Sequence, residues 1–366
     1  MAKEKKLTDK VFAQLFLETH KDEHYNFEVD GGDYLVSSGS MVFDGWLDGG
    51  FEAGAIRFVG KTSGGKTSAA IEVLDNFLDT VEKSKGIYIK AEGRLSKRMT
   101  DCKRHEFTTD INKWEDGTTF IFECNRFETV AEFIRGLSKN FDGTRYCIII
   151  DSMDGLNTKD SIGKSFEEHE KIGAGASITS AMLRNTHLSM VKRGYMCIML
   201  GQARSTIKTH QFQAADRNKL GGASGGNAAV HYANWVLEFI KHNPDNKAEV
   251  FLGENDKVLG HKAKVKIYKS PNDTDGQVFE YPIKHATRSV WVEREIVDHL
   301  IQWGFIEKAG EKGPWMTLDK DLVEYLTREK IEFSEKLQGI QKIYDWVEGK
   351  KDIVDKLKEF IKQNPT

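Results

Sequence analysis

The residues best placed to do chemistry lie in Gly60-Lys61-Thr62-Ser63-Gly64-Gly65-Lys66-Thr67, which fits the pattern G-x-x-x-x-G-K-[ST]. The run sits between apolar residues Ile56 to Val59 and a helical pattern that opens on Ser68. Glycines let a backbone wrap closely with its N–H groups turned inward, and the N-terminus of a following helix adds partial positive charge. Both features suit phosphate oxygens. Lys66 would reach the outer phosphates of a nucleotide, and the Thr67 hydroxyl would bind Mg²⁺. A glycine-rich turn that binds nothing is the alternative, and the flanking strand and helix weigh against it.

Two carboxylates fall at the ends of apolar runs. Tyr146-Cys147-Ile148-Ile149-Ile150 leads into Asp151, and in an open parallel sheet ligands collect at the carboxyl ends of strands. Asp151 is therefore expected beside the loop, holding Mg²⁺ through water; otherwise it is a turn or N-cap residue. Glu92 follows Gly86 to Ala91 in the same way. From spacing alone two readings stand for it: orienting a water for attack on a γ-phosphate, or capping a strand-to-helix turn. A third group is basic. Between Ala203 and Leu220, Arg204, Lys208, Arg217 and Lys219 stand with Phe212 against the single acid Asp216. These side chains could neutralise phosphates and wedge between bases, or form a solvated loop with an incidental charge excess.

Positioning these residues takes a particular kind of scaffold. From about residue 55 short apolar runs alternate with helical stretches: Ile56 to Val59, Ile87 to Ile89, Thr119 to Phe122, Cys147 to Ile150 and Met196 to Leu200. Such alternation indicates βαβ units, hence an α/β fold with a mostly parallel sheet and helices on both faces. A chain of 366 residues accommodates one large core with smaller appendages. We expect an N-terminal oligomerisation segment over 1–35, a core over 36–288 and a small α/β C-terminal domain over 289–366. Leu7, Val11, Phe12, Leu15 and Phe16 give one apolar stripe on a helix too short to bury it alone. That helix needs a surface on this chain or on a neighbouring subunit. Ala263, Val265 and Ile267 alternate with Lys262, Lys264 and Lys266, a half-exposed strand with a basic face. Amphipathic helices are expected at Val292 to Ile301, stopped by Gly304, and at Ile353 to Ile361.

Composition excludes several classes. A formal net charge of -3 rules out coating nucleic acid by overall basicity, so any such contact is a local patch. The 4 cysteines are scattered, without a C-x-x-C pair or a zinc spacing, and Cys147 and Cys197 suit small buried hydrophobes in a reducing cytosol. No apolar h-region follows Met1, and no run of about eighteen apolar residues occurs, so neither a secretory signal nor a membrane span is expected. The expectation is a cytoplasmic protein.

Further motifs stand in order along the chain: Ser38-Gly-Ser-Met-Val-Phe-Asp44 and Gly49-Gly-Phe-Glu-Ala-Gly54 ahead of the loop, Ala91-Glu92, Leu200-Gly201-Gln202, Gly221 to Ala228, Glu295 to Leu300 and Ile306 to Gly310. From about Ser37 to about Leu318 the chain thereby resembles the RecA family of recombinases, and within it is most similar to the UvsX recombinases of T4-like phages. The resemblance implies a RecA-like P-loop NTPase core using ATP and Mg²⁺, with Gly60 through Ser68, Asp151 and Gln202 around the nucleotide. It makes Lys66 and Glu92 catalytic, Glu92 as the water-activating glutamate, and Gln202 a nucleotide sensor. It assigns Arg204, Lys208, Phe212, Arg217, Lys219, Gly225, Gly226 and Asn227 to a second DNA-binding loop. A first loop falls at 157–171, where Lys159, Lys164 and Lys171 are outnumbered by Asp160, Glu167, Glu168 and Glu170.

The family also carries a basic pair that reaches a neighbour's ATP. Lys269 matches its first member as a third catalytic residue, while Pro271 cannot supply the second charge. Met99 stands where bacterial relatives stack a tyrosine on adenine. The implied activity is that of a DNA-dependent ATPase, a recombinase forming helical filaments on single-stranded DNA and pairing it with homologous duplex in recombination, repair and replication. Implied partners are further copies of itself, single-strand-binding proteins and loaders, and no membrane. Two alternatives stay open. A helicase-like motor would need an N-terminal docking domain where only residues 1–35 precede the core, and the absent charge at Pro271 leaves room for a weakly hydrolysing recombination mediator.

Overall fold

The computed structural model describes residues 8–21, 26, 30–93, 95–159, 174–202, 226–241, 250–253, 257–309 and 314–364, the side chains of 174–176 and 226–228 excepted. The apolar runs are strands. β1 (Gly54–Gly60), β2 (Ser84–Lys90), β3 (Phe107–Thr108), β4 (Thr119–Glu123), β5 (Arg145–Asp151), β6 (Met196–Gln202) and β7 (Trp235–Ile240) pair in parallel in the order β3-β4-β2-β5-β6-β1-β7. β9 (Val258–Lys269), β10 (Val278–Lys284) and β11 (Ser289–Val290) extend the sheet antiparallel beyond β7, and β8 (Val250–Leu252) pairs with β9.

The central strands read as continuous apolar runs because helices bury both faces. α3 (Lys66–Thr80) covers one face, where Ile71, Leu74 and Phe77 join a cluster with Tyr88, Ile149, Ile198 and Leu200. α5 (Phe127–Lys139) and α6 (Ala174–Lys192) cover the other. There Phe127, Ile134, Leu183 and Met190 pack with Ile87, Ile89, Ile148, Ile150 and Met199. Successive residues of one strand thus feed opposite cores. Cys147 and Cys197 are among them, and burial pushes the Cys197 thiol up to about 12. β9 shows the other pattern, with Ala263, Val265 and Ile267 buried and the lysines between them half-buried. Those lysines are answered on the sheet itself: Lys264 pairs with Glu280 at 3.1 Å, and Lys266 Nζ stands 4.6 Å from the Tyr268 ring.

A separate apolar cluster forms from α8 (Val292–Gln302), α9 (Lys320–Arg328), α10 (Ile340–Val347) and α11 (Lys351–Gln363), with Leu300, Leu322, Ile343 and Leu357 at its centre. β12 (Ile306–Lys308), β13 (Trp315–Leu318) and β14 (Lys336–Gln338) form its antiparallel sheet. Buried Glu295 ties this region to the core. Its carboxylate accepts from the Ser40 hydroxyl and from the N–H groups of Met41 at 3.0 Å and Val42 at 3.3 Å, at the start of α2 (Met41–Trp46). The Arg294 guanidinium lies 3.9 Å from the Phe251 ring and 4.2 Å from the Tyr344 ring.

α1 (Asp9–Thr19) is amphipathic as its spacing requires, yet Val11, Phe12, Leu15 and Phe16 are 50%, 59%, 55% and 51% exposed and no residue of the helix is buried. Among the described residues no helix is long and apolar enough to cross a membrane.

Candidate active site

Strand order decides which residues meet. The chain leaves β1 through α3 and re-enters the sheet at β2, and β5 and β6 later fill the gap. Gly60 is then in register with Gln202, and Lys90 with Asp151. The carboxyl ends of β1, β6, β5 and β2 therefore lie along one edge, where the Gly60 to Lys66 turn begins. Gly60 has φ 153, and a methyl there would come within 2.2 Å of the Phe239 carbonyl oxygen, so only glycine fits. Gly65, at φ 95, is the left-handed N-cap of α3.

Lys66 is buried. Its ammonium donates to the carbonyls of Gly60 at 2.8 Å and Lys61 at 2.9 Å. Burial lowers its pKa, while the charges of Asp151, Asp154 and Glu92 act to raise it. Thr67 Oγ1 donates to Asp151 Oδ2 at 3.1 Å, and the Tyr88 hydroxyl donates to the same oxygen. Burial raises the pKa of Asp151, and these two hydrogen bonds oppose the shift. Adjacent oxygen ligands of an octahedral Mg²⁺, each about 2.0–2.1 Å from the ion, stand about 2.9 Å apart. The Thr67 hydroxyl oxygen suits one such ligand, and Asp151, 3.1 Å from it, stands where its carboxylate could accept from a water in the ion's shell.

Glu92 follows β2, and its carboxylate accepts from the Ser152 hydroxyl. Ser152 comes directly after Asp151, across a cis peptide, and opens a short 3₁₀ turn, Met153–Gly155. The far end of that turn also touches Glu92: a methyl on Gly155 would lie 2.6 Å from Glu92 Cγ. Asp154, between them, accepts from the backbone N–H of Gln202 at 2.7 Å. Lys66, Thr67, Asp151, Glu92 and Gln202 thus belong to one constellation. Lys269 is engaged outside it, at the end of β9, donating to the carbonyls of Val230 at 3.1 Å and His231 at 2.7 Å in the last turn of α7 (Gly226–Tyr232). Met99, in α4 (Lys97–Thr100), is buried in the same cluster as Ile283. The Cδ1 of Ile283 would meet a methyl on Gly65 at 3.5 Å, so this side chain stands beside the loop.

Of the candidate DNA-binding residues, Arg204, Lys208, Phe212, Arg217, Lys219 and Gly225 lie outside the described residues, as do 160–171 of the first loop. Gly226 and Asn227 open α7. The segment 203–225 follows Gln202 directly in sequence. Tyr88, Ser152, Asp154 and Gly155 are site residues that sequence reasoning missed. Only Tyr88 gave a signal, a hydroxyl between two isoleucines in an apolar strand.

No protein-family model matches this chain. It is similar to Protein RecA of Campylobacter hominis, 24% identical over 306 residues that cover 82% of this chain and 78% of that protein. The core is RecA-like. Protein RecA of Pseudomonas savastanoi pv. phaseolicola and of Pseudomonas syringae pv. syringae are each 26% identical over 164 residues, 44% of this chain and 42% of theirs. The likeness to RecA thus extends over about four fifths of this chain.

Proposed function

We propose that this chain is a DNA-dependent ATPase and recombinase that assembles on single-stranded DNA and pairs it with homologous duplex. The observation that carries the reading is the single sheet edge holding Lys66, Thr67, Asp151 and Glu92, with Gln202 in register beside Gly60 at the root of the basic segment. Lys66 would exchange its two carbonyl partners for phosphate oxygens of ATP, a charge-assisted contact stronger than the neutral ones it replaces. Thr67 and Asp151 would hold Mg²⁺, which when bound neutralises charge developing on the phosphates. Glu92, kept in place by Ser152 and Gly155, orients the attacking water. Gln202 senses the γ-phosphate and passes its state to 203–225, where Arg204, Lys208, Arg217 and Lys219 neutralise DNA phosphates and Phe212 stacks on bases.

Assembly would use α1, whose bare apolar stripe suits the surface of the next copy in a head-to-tail chain. Within such a filament Lys269 would reach the neighbour's nucleotide. The division into an N-terminal segment, a core over 36–288 and a C-terminal domain, the special likeness to UvsX recombinases, a bacterial cytoplasmic setting and dependence on single-strand-binding and loader proteins belong to the same reading. A second reading, a mediator that binds ATP and hydrolyses little, draws on Pro271 and on the engagement of Lys269 with its own chain. ATP turnover with and without single-stranded DNA, measured beside pairing of homologous strands, separates them. Stimulated turnover with pairing is the expected result; absence of both overturns the recombinase reading.

A further inference from the structure

Arg57 sits in the middle of β1 among apolar residues and is 1% exposed. A guanidinium taken out of water is costly unless a carboxylate and hydrogen bonds compensate it. Burial pulls its pKa down to about 10, still charged at neutral pH, and the charge of Asp154 is what supports it. The two side chains converge on Gly201, where a methyl would lie 3.8 Å from Asp154 Oδ2 and 4.0 Å from Arg57 Nη2. The same Asp154 oxygen accepts the N–H of Gln202, the last described residue before 203–225.

Asp154 belongs to a turn that holds Glu92 from two sides, by the Ser152 hydroxyl and by the Gly155 backbone. The turn also leads into 160–173: the bridge between Arg126 and Asn157 follows directly. One compact element therefore touches the water-orienting carboxylate on one side and the root of the basic segment on the other, with a buried cation fixing it to β1.

We propose that Asp154, steadied by Arg57, is a positioning residue that pins the Gln202 backbone to the turn seating Glu92, so that DNA binding adjusts Glu92. This deepens the recombinase reading and rests on it. The coupling has a physical carrier, an element whose placement both sites bias, and it acts in both directions.

The test compares ATP turnover with and without single-stranded DNA in wild type, D154A, R57M/D154A and R57M/D154N. The readout is the ratio of the two rates, in which a general loss of activity cancels; melting temperature, taken alongside, reports a merely structural role. D154A removes the acceptor, and its ratio should fall at least about tenfold. R57M/D154A removes both charges, leaves no buried cation unanswered and carries the test if D154A does not fold; its ratio should be equally low. R57M/D154N restores a neutral acceptor for the Gln202 N–H and should recover to within about threefold of wild type. Wild-type ratios in D154A or R57M/D154A overturn the proposal, as does an R57M/D154N ratio no better than that of R57M/D154A. A wild type that DNA does not stimulate instead removes the recombinase reading, and this proposal with it.

Discussion

Substituting Gly155 by alanine tests the seating of Glu92 without touching its carboxylate. The added methyl would lie 2.6 Å from Glu92 Cγ and 3.2 Å from the backbone carbon and oxygen of Ala91. Carbon atoms rest at about 3.5–4.0 Å, so the contact is about 1 Å too short. The Ala91 backbone blocks retreat on its side, and the Glu92 side chain must swing away from Ser152. A positioned general base is worth about 10² to 10⁴ in rate, or about 3 to 5 kcal/mol in the barrier. Gly155→Ala should therefore slow turnover at saturating ATP and DNA by about a hundredfold or more. Glu92→Gln should slow it comparably. Nucleotide affinity, titrated with a fluorescent ATP analogue, should stay within about threefold in both, because neither change touches the loop. Normal turnover in Gly155→Ala beside a slow Glu92→Gln would show that the contact does not seat the carboxylate. Normal turnover in both would refute Glu92 as the water-orienting group.

Lys66→Ala should reduce hydrolysis below about 1% of wild type, since it removes the loop's side-chain cation from the phosphates; near-normal turnover rejects the site. Deleting residues 1–20 should leave a folded, ATP-binding monomer, as no residue of α1 is buried, and imaging with ATP and single-stranded DNA should show no filaments; filaments of normal length refute the docking role. Stability should also depend on Glu295, whose pKa burial raises from 4.5 to about 7 against the hydrogen bonds from Ser40, Met41 and Val42. A raised folded-state pKa favours the protonated form, so its contribution is full below about pH 4.5 and is lost as pH rises through about 7, a change on the order of 3 kcal/mol. Glu295→Gln should flatten the fall of the denaturant midpoint between pH 5 and pH 7.5, and an unchanged slope would show that other groups carry it.

Much of this was legible before the structure, for identifiable reasons. Strands buried on both faces cannot help being apolar runs, and a carboxylate at the end of such a run must stand at the sheet's carboxyl edge; Asp151 and Glu92 followed from that, whereas Gln202 came from the resemblance. Strand order was not legible. Tyr88 meets Asp151 only because β5 slots beside β2, a pairing across more than fifty residues that local periodicity does not encode. Strand β10 escaped because Pro282 stands inside it, and proline argues against a strand interior. β12 to β14, of three or four residues each, are too short to display a period. Arg57 falls within the run Ile56 to Val59 and nothing local marks it; Asp154, whose charge supports it, lies on a turn reached only after β5.

The resting bonds of Lys66 bear on selectivity among anions. An ammonium carries three donors, and here two are already satisfied by the Gly60 and Lys61 carbonyls. Lys66 is thus not a bare cation waiting for any negative charge. A lone phosphate or sulfate must draw the lysine from both carbonyls and offers few contacts in return. A triphosphate replaces those bonds and engages the loop's N–H groups and the helix terminus at the same time. Among small anions, the folded-back lysine would act as a stopper that favours a longer, more highly charged chain of phosphates.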